Sequence, residues 1–277
     1  MDFRLSRTEM VELTAQWTGD RFDDGRPRVP DSVLDRLRHV TTEQVWSVLW
    51  DAGYEYQFEG DWRETHPDRV TVGRALTARF VPKRPDLDRW VMDAAARDGL
   101  RTEVHRQNWL AVEALTENDV FVVDIFGKIR EGTVIGDNLG SAVAARTKAG
   151  AVIDGGIRDL AGIQRLTSVN VYYRGTDPTP IKDVTLAGLN VPVRIGQATV
   201  LPGDVVLGTP TGVLFIPPHL AEAAVDGAER TKRRDEFGKL RLSQGRYTSA
   251  EIDVKDWAAP IEADFDAWLK DKAAGAS

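Results

Sequence analysis

The sequence contains no cysteine. That excludes disulfides, thiolate zinc sites and cysteine nucleophiles. No apolar run approaches the ~20 residues that a membrane-spanning helix needs. The first residues, MDFRLSRTEMVELTAQW, carry charge throughout and lack the apolar core of a secretory signal. The expectation is a cytoplasmic protein with no membrane partner. Basic residues are outnumbered: 36 Lys and Arg stand against 43 Asp and Glu, a formal net charge of −7. No basic face for a nucleic acid is evident, so no nucleic-acid partner is expected. Histidine is scarce, and His39, His66, His105 and His219 share none of the spacings HxH, HxxxH or HExxH. Each reads as a packing or surface residue rather than a metal ligand. Internal repeats and low-complexity segments are also absent.

What is present is a chain of 277 residues, 42% hydrophobic, long enough to bury a substantial core. Residues 1–69 read as a helical N-terminal extension. Asp31 or Ser32 caps a short helix carrying Val33, Leu34 and Leu37. A second helix is predicted from Thr42 to about Ala52, with Val45, Trp46 and Leu49 as its stripe and Gly53 at its end. Residues 70–225 read as an α/β domain. Its strands are predicted in RVTVGRALTARFV from Arg69, in VFVVDIF from Val120, in AVIDGG at 151–156 and in SVNVYYRG from Ser168. VFVVDIF is continuously apolar, the pattern of a strand buried on both faces. Helices are predicted at about 86–98, closed by Gly99, from Gly136 to Gly150, and at about 158–166. The stretch 102–115 is ambiguous between helix and strand, with helix favoured. Residues 176–190 read as loop. Short strands follow, with turns at Gly196, Pro202–Gly203 and Pro210–Thr211–Gly212. Residues 226–277 read as a helical C-terminal extension whose Trp257, Phe265 and Trp268 are placed to dock on a neighbour.

Two segments carry the chemistry, GDNLG at 136–140 and DGGIRD at 154–159. Each joins a regular element to a glycine turn, and in α/β proteins ligands collect where strands end and helices begin. Backbone N–H groups of Asn138, Leu139 and Gly140, at a helix start, can hold an anion. Arg158 can polarise a carbonyl or pair with a carboxylate. Asp159 can ligate a divalent metal, and a site with few carboxylates and several waters suits Mg²⁺ or Mn²⁺. Alone, each motif has a plain structural reading, as a tight turn or a surface ion pair. Ser141 lacks a G-x-S-x-G context, which argues against a serine hydrolase. Asp154 reads equally as a turn residue or as support for the site. Lys128 and Arg130 read as solvated charge, and TKRRDEFGK at 231–239 as an exposed helix face.

Taken in order, VVDIFG, GDNLG, AVIDGGIRD, PVRIG and VLPGDVVLGTPTGVLFIP resemble the RraA-like family, which includes the 4-hydroxy-4-methyl-2-oxoglutarate aldolases. The resemblance covers about residues 70–225. It implies a compact swivelling β/β/α domain, here with helical N- and C-terminal extensions, assembled as a homotrimer or homohexamer with active sites between subunits. It implies a divalent-metal-dependent lyase that cleaves 4-hydroxy-2-oxo acids to pyruvate by a retro-aldol reaction and can decarboxylate oxaloacetate. By the same resemblance Asp159 holds the metal, partly through waters, and Arg158 contacts the 2-oxo oxygen. Gly136, Asn138 and Leu139 bind the pyruvyl carboxylate end, and Asp137 orients a water that carries a proton. The segment GTPTG at 208–212 departs from the acidic, glycine-rich version of many members. An acidic residue from a neighbouring chain is also implied, and none of Glu251, Asp253 and Asp256 can be matched to it. The N-terminal segment, with Trp46, Trp50 and Trp62, exceeds that of minimal members and could cover the pocket or thicken an interface. The alternative reading is a non-catalytic, protein-binding regulator, since some relatives inhibit RNA-degrading enzymes. A methyltransferase is rejected, because no glycine-rich cofactor loop with a following acidic residue is evident.

Overall fold

The computed structural model describes residues 3–97, 99 and 107–274. His105 and the start of the 102–115 stretch lie outside the described residues. The chain divides into two compact units, Met1–Val225 and Asp226–Ser277.

The strands of the first unit are β1 (Phe58–Glu59), β2 (Arg63–Glu64), β3 (Thr71–Pro82), β4 (Asp119–Asp124), β5 (Gly150–Ile157), β6 (Asn170–Thr176), β7 (Val184–Leu189), β8 (Val193–Ile195), β9 (Ala198–Val200), β10 (Val205–Thr209) and β11 (Gly212–Ile216). Nine of them form one mixed sheet in the order β1-β11-β10-β3-β4-β5-β6-β2, with β7 also paired to β3. The β3, β4, β5 and β6 strands run parallel, and the remaining pairings in this sheet are antiparallel. One edge of the long β3 is shared. Its residues Thr71–Arg74 pair with β10, and its residues Ala78–Pro82 pair with β7.

Alternation along β4 shows why it is apolar throughout. Phe121 and Val123 join the core that also takes Val91, Leu110, Val143 and Ile163 from the helices. Val120 and Val122 join the opposite core, with Val193, Ile195, Ala198 and Val200 of the separate β8–β9 hairpin. The result is helix, sheet and hairpin in layers, the β/β/α arrangement that the family resemblance implies.

The sheet is also rolled. Its terminal strands β1 and β2 are separated by only Gly60, Asp61 and Trp62. A three-residue link spans at most roughly 14 Å between its flanking residues. The two ends of the sheet therefore meet. Across the interior, a Cβ on Gly208 of β10 would lie 2.7 Å from the Tyr172 ring of β6. Arg174 of β6 clamps the junction: it bonds Glu59 Oε1 at 2.6 Å and the carbonyl of Gly60 at 2.8 Å, and stacks 3.7 Å from the Trp62 ring.

Residues 1–69 are accordingly not a helical extension set apart from the sheet. The predicted helices are there, as Asp31–Leu37 and as Thr42–Asp51 with a Thr41–Gln44 capping box. The same segment supplies both terminal strands, places Phe3 in the main core, and inserts Arg26 beneath β4. Arg26 and Asp119 are 2% and 0% exposed and pair through both guanidinium nitrogens, at 2.6 and 3.2 Å. Thr116 donates two further bonds to Asp119. Further differences are local. The loop expected at 176–190 contains β7, which the prolines at 178 and 180 mask in the sequence. The helix expected at 158–166 is the single turn Leu160–Ile163. In the second unit, Trp257, Phe265 and Trp268 close on Phe237 of the helix Ala221–Ser243, with ring centroids 5.4, 5.3 and 5.8 Å away. They form a core of their own instead of an exposed docking face.

The turn before β10 buries a second carboxyl. Asp204 accepts from the Leu201 N–H at 2.8 Å, and burial pushes its carboxyl up to about 8 from an ordinary 3.8. A group with a raised folded value binds more protons folded than unfolded, so stability falls as pH rises between those values. Asp204→Asn keeps the acceptor and should flatten the fall in melting temperature between about pH 5 and pH 8 expected for the wild type; parallel curves for the two proteins would refute this. Replacing Arg26 by Met strands Asp119 and should cost about 3–5 kcal/mol in a urea titration, with the Arg26→Met/Asp119→Leu pair recovering most of it.

Candidate active site

The parallel strands β4 and β5 end side by side, and the segments that follow them meet. The loop after β4 folds back across the end of β5. Gly127 N–H donates to the Asp154 carbonyl, Gly156 N–H to Lys128, and Val134 N–H to Gly156, each at 3.0 Å. This is why DGG reads as it does. A Cβ on Gly155 would collide with Ile125, and one on Gly156 would lie 2.7 Å from the Ile129 carbonyl. The glycines do not end the strand, as the sequence suggested; they let a loop lie on its backbone while β5 runs on to Ile157. Asp154 points to the sheet junction, accepting from Arg174 Nε at 2.8 Å.

Arg158 leaves β5 with its N–H on the Ile135 carbonyl at 3.0 Å, which sets it beside Gly136. Its Nη1 is 2.5 Å from Asp159 Oδ2. Both side chains lie against Gly136. A Cβ there would collide with Asp159 Oδ2 and fall 2.8 Å from Arg158 Cζ and 3.0 Å from Nε. Asp159 itself is left-handed (φ 55°, ψ 41°), a conformation that Asp tolerates better than most residues and that costs on the order of 1–3 kcal/mol. It starts the turn Leu160–Ile163 through its carbonyl, which accepts from Gly162 and Ile163 at 2.8 and 3.1 Å. Its carboxylate does not cap that turn and is directed to Arg158 instead.

The helix Asp137–Thr147 begins at the same point. Its N-cap is Gly136, extended and without a side chain to cap the first N–H groups. Those of Asp137, Asn138 and Leu139 have no partner within the helix. They face the end at which the helix dipole favours negative charge. Asp137 packs against Gly162, where an added Cβ would be 2.6 Å from its own Cβ. Ser141 donates to the Asp137 carbonyl at 2.8 Å, a helical back-bond and not a nucleophile's geometry.

Gly136, Leu139 and Arg158 line one cleft of about 240 Å³. The side chains of Asp137, Asn138 and Asp159 do not line it; Asn138 and Asp159 are exposed beside it. The opposite walls come from residues the sequence did not single out for a site: Asn108, Trp109, Thr133, Val134, Pro180 and Ile181. Nothing in their local pattern marks them, because they converge from three distant segments. The histidines go elsewhere. His66 bonds Thr65 and the Gln164 carbonyl, and His219 faces Tyr54. Lys128 donates to the Lys182 carbonyl. Trp62 lies on Tyr172 at the sheet junction, and Trp46 and Trp50 are partly exposed partners at 4.9 Å; none of the three lines the cleft.

Among the described residues no three His, Asp or Glu side chains converge as a metal cage. Asp159 is a single carboxylate beside an Arg. That donor set fits only an ion that keeps most of its own waters and takes oxygens from a ligand, which is the behaviour of Mg²⁺ or Mn²⁺. A larger cavity, about 560 Å³, lies among Trp17, Tyr54, Leu201 and His219. It contains none of the residues of GDNLG or DGGIRD, whereas the smaller cleft holds the free helix start and a guanidinium together.

The family model described as RraA-like, Aldolase/RraA, matches residues 41–215. The chain is 31% identical over 161 residues to the candidate 4-hydroxy-4-methyl-2-oxoglutarate aldolase of Ectopseudomonas mendocina, covering 57% of this chain and 93% of that protein. It is 29% identical to the protein so named in Halalkalibacterium halodurans, covering 48% of this chain and 62% of that protein, under two thirds of its length. Among solved structures it is similar to Streptomyces coelicolor RraAS2, described as an unusual member of the RNase ES inhibitor RraA family. The TM-score is 0.66 at 25% identity, over 77% of this chain and all of that one. A protein from Pseudomonas syringae pv. tomato shares the fold, with TM-score 0.67 at 22% identity over 86% of this chain and 99% of that one.

If the missing Cβ at 136 is what lets Arg158 and Asp159 share this corner, Gly136→Ala should displace them without unfolding the chain. Oxalate, a small dianion, should then bind at least about tenfold more weakly by calorimetry, the loss of one charge-assisted hydrogen bond. The far-ultraviolet spectrum should stay as in the wild type. Unchanged oxalate affinity would show that the helix start and the guanidinium do not act on one anion.

Proposed function

The chain belongs to the RraA-like family, and from that premise we propose that it is a lyase of the aldolase type, which cleaves 4-hydroxy-2-oxo acids to pyruvate in the presence of Mg²⁺ or Mn²⁺. One observation carries this reading: Arg158 and Asp159 converge on Gly136 at an uncapped helix start. Retro-aldol cleavage needs a place for the proton of the distal hydroxyl and a sink for the charge of the enolate. Arg158 lines the cleft and is positioned for the 2-oxo oxygen, where that charge collects. The N–H groups of Asn138 and Leu139 take the carboxylate. Asp137, at the mouth of the helix, orients the water that accepts the hydroxyl proton and returns one to the methylene carbon. Asp159 would hold the cation, which when bound supplies further positive charge to the same oxygens. Loss of CO₂ from oxaloacetate develops the same enolate, so oxaloacetate is a second expected substrate. The resemblance also supports assembly as a homotrimer or homohexamer.

The likeness to Streptomyces RraAS2 favours a second reading, a regulator without chemistry. The arrangement at Gly136 weighs against it. A carboxylate turned from its own helix to a neighbouring arginine, both resting on a glycine at an uncapped helix start, is an arrangement that a protein-binding surface does not require.

Pyruvate release decides between them. Arg158→Ala should lower kcat by about 10²–10³, the cost of removing one preorganised charge donor. Asp159→Ala should remove turnover together with its dependence on added Mg²⁺. Inertness of the wild type toward both 4-hydroxy-2-oxo acids and oxaloacetate would leave the regulator reading.

A further inference from the structure

The larger cavity of the first unit, about 560 Å³, has a carboxyl group in its lining. Asp204 is only 2% exposed. The turn before β10 holds it there. Leu201 N–H donates to Asp204 Oδ2 at 2.8 Å, and the Asp204 N–H donates to the Leu201 carbonyl at 3.1 Å. Its Oδ1 has no hydrogen-bond partner among the described residues. The guanidinium groups that reach β3 beside this turn are committed elsewhere. Arg26 pairs with Asp119 at 2.6 Å, and Arg74 pairs with Asp31.

An acid so placed lacks what an ionised carboxylate needs when buried, a cation or several donors. One N–H is too little, and burial keeps the proton on up to about pH 8. The other walls suit the missing charge. Trp17, Tyr54 and Tyr56 bring aromatic rings to the cavity, and Glu12 and Glu55 bring exposed carboxylates. His219, 3.3 Å from the Tyr54 hydroxyl, is pushed down by burial and so carries no opposing charge at neutral pH. Ring faces and carboxylates attract the same kind of ligand, an organic cation. The volume lies within the range of roughly 300–1,000 Å³ that small-molecule sites occupy. We propose that this cavity, which shares no lining residue with the Arg158 cleft, is a second binding site, for a small organic ammonium ion whose nitrogen pairs with Asp204 and whose hydrocarbon part lies against Trp17 and Tyr54. Charge and protons balance simply. The ammonium keeps all its protons, and Asp204 releases its own to solvent as the pair forms.

The test is calorimetry on the full chain with 2-phenylethylammonium and its neutral counterpart, 2-phenylethanol. Only the ionised acid pairs with the cation, so affinity for the ammonium should rise at least about tenfold from pH 6.5 to pH 8. Heats measured in two buffers of different ionisation enthalpy should show release of about one proton per ammonium bound at pH 6.5. The alcohol should show neither effect. The other titratable groups of the cavity are Glu12, Glu55, Tyr54, Tyr56 and His219. Asp204→Asn separates its contribution from theirs: it should remove the proton release and lower affinity for the ammonium at pH 8 by about tenfold or more. Tyr54→Ala, at a partly exposed position, should weaken the ammonium about threefold more than the alcohol. Equal affinity for the two probes without proton release would show a plain apolar cavity and overturn the proposal. Failure of both probes to bind would show a cavity closed to ligands and overturn it as well.

Discussion

The absence of a side chain at residue 136 is the constraint on which the site depends. Gly136 is at once the last residue before a helix, the floor of a cleft, and the surface on which Arg158 and Asp159 rest. Any larger residue would separate these three functions. A capping Ser or Asp at this position would supply a side-chain acceptor for the first N–H groups and stabilise the helix by only about a few tenths of a kcal/mol over glycine. Glycine forgoes that stabilisation and leaves the first N–H groups without a side-chain acceptor. The same trade recurs at Asp159, which takes a left-handed conformation and leaves its own short helix without a side-chain cap.

Around that point the fold is built to hold two chain segments in register. The carbonyl of Ile135 and the N–H of Arg158 bond directly, and the loop after β4 is tied to β5 at Gly127, Gly156 and Val134. These are backbone contacts, which depend little on side-chain identity beyond the glycines that permit them. The side chains of Arg158 and Asp159 are thus aimed by a frame that their own substitution should leave in place.

The sequence made parts of this legible and hid others for physical reasons. VFVVD was readable as a buried central strand because both faces of β4 meet apolar layers. GDNLG and DGGIRD were readable as candidate segments because glycine turns stand at the ends of regular elements, and the crowding at Gly136, Gly155 and Gly156 shows why glycine is required there. The two-residue strands β1 and β2 were not, since their pairing is decided by Leu214 and Tyr172, far along the chain. Strand β7 was hidden by the prolines before it, although its partner β3 holds it in place. Arg26 and Asp119 each look like surface charge, and only the fold buries them together. Trp109 and Ile181 carry no local pattern, and their meeting across a cleft is a product of the fold alone.

The closure of the rolled sheet sets an order of events. Residue 58 pairs with residue 214 and residue 64 with residue 172, so one short stretch near the start of the chain waits on two partners made much later. As the polypeptide emerges from the ribosome, β2 can be seated once β6 exists, while β1 has nothing to join until β11 is complete. Pairings of such long sequence separation are slow to form. A nascent chain halted between these points would carry a sheet zipped at one margin and gaping at the other, with β10 and β11 missing and the β3 edge that should receive them bare, a template for the wrong neighbour.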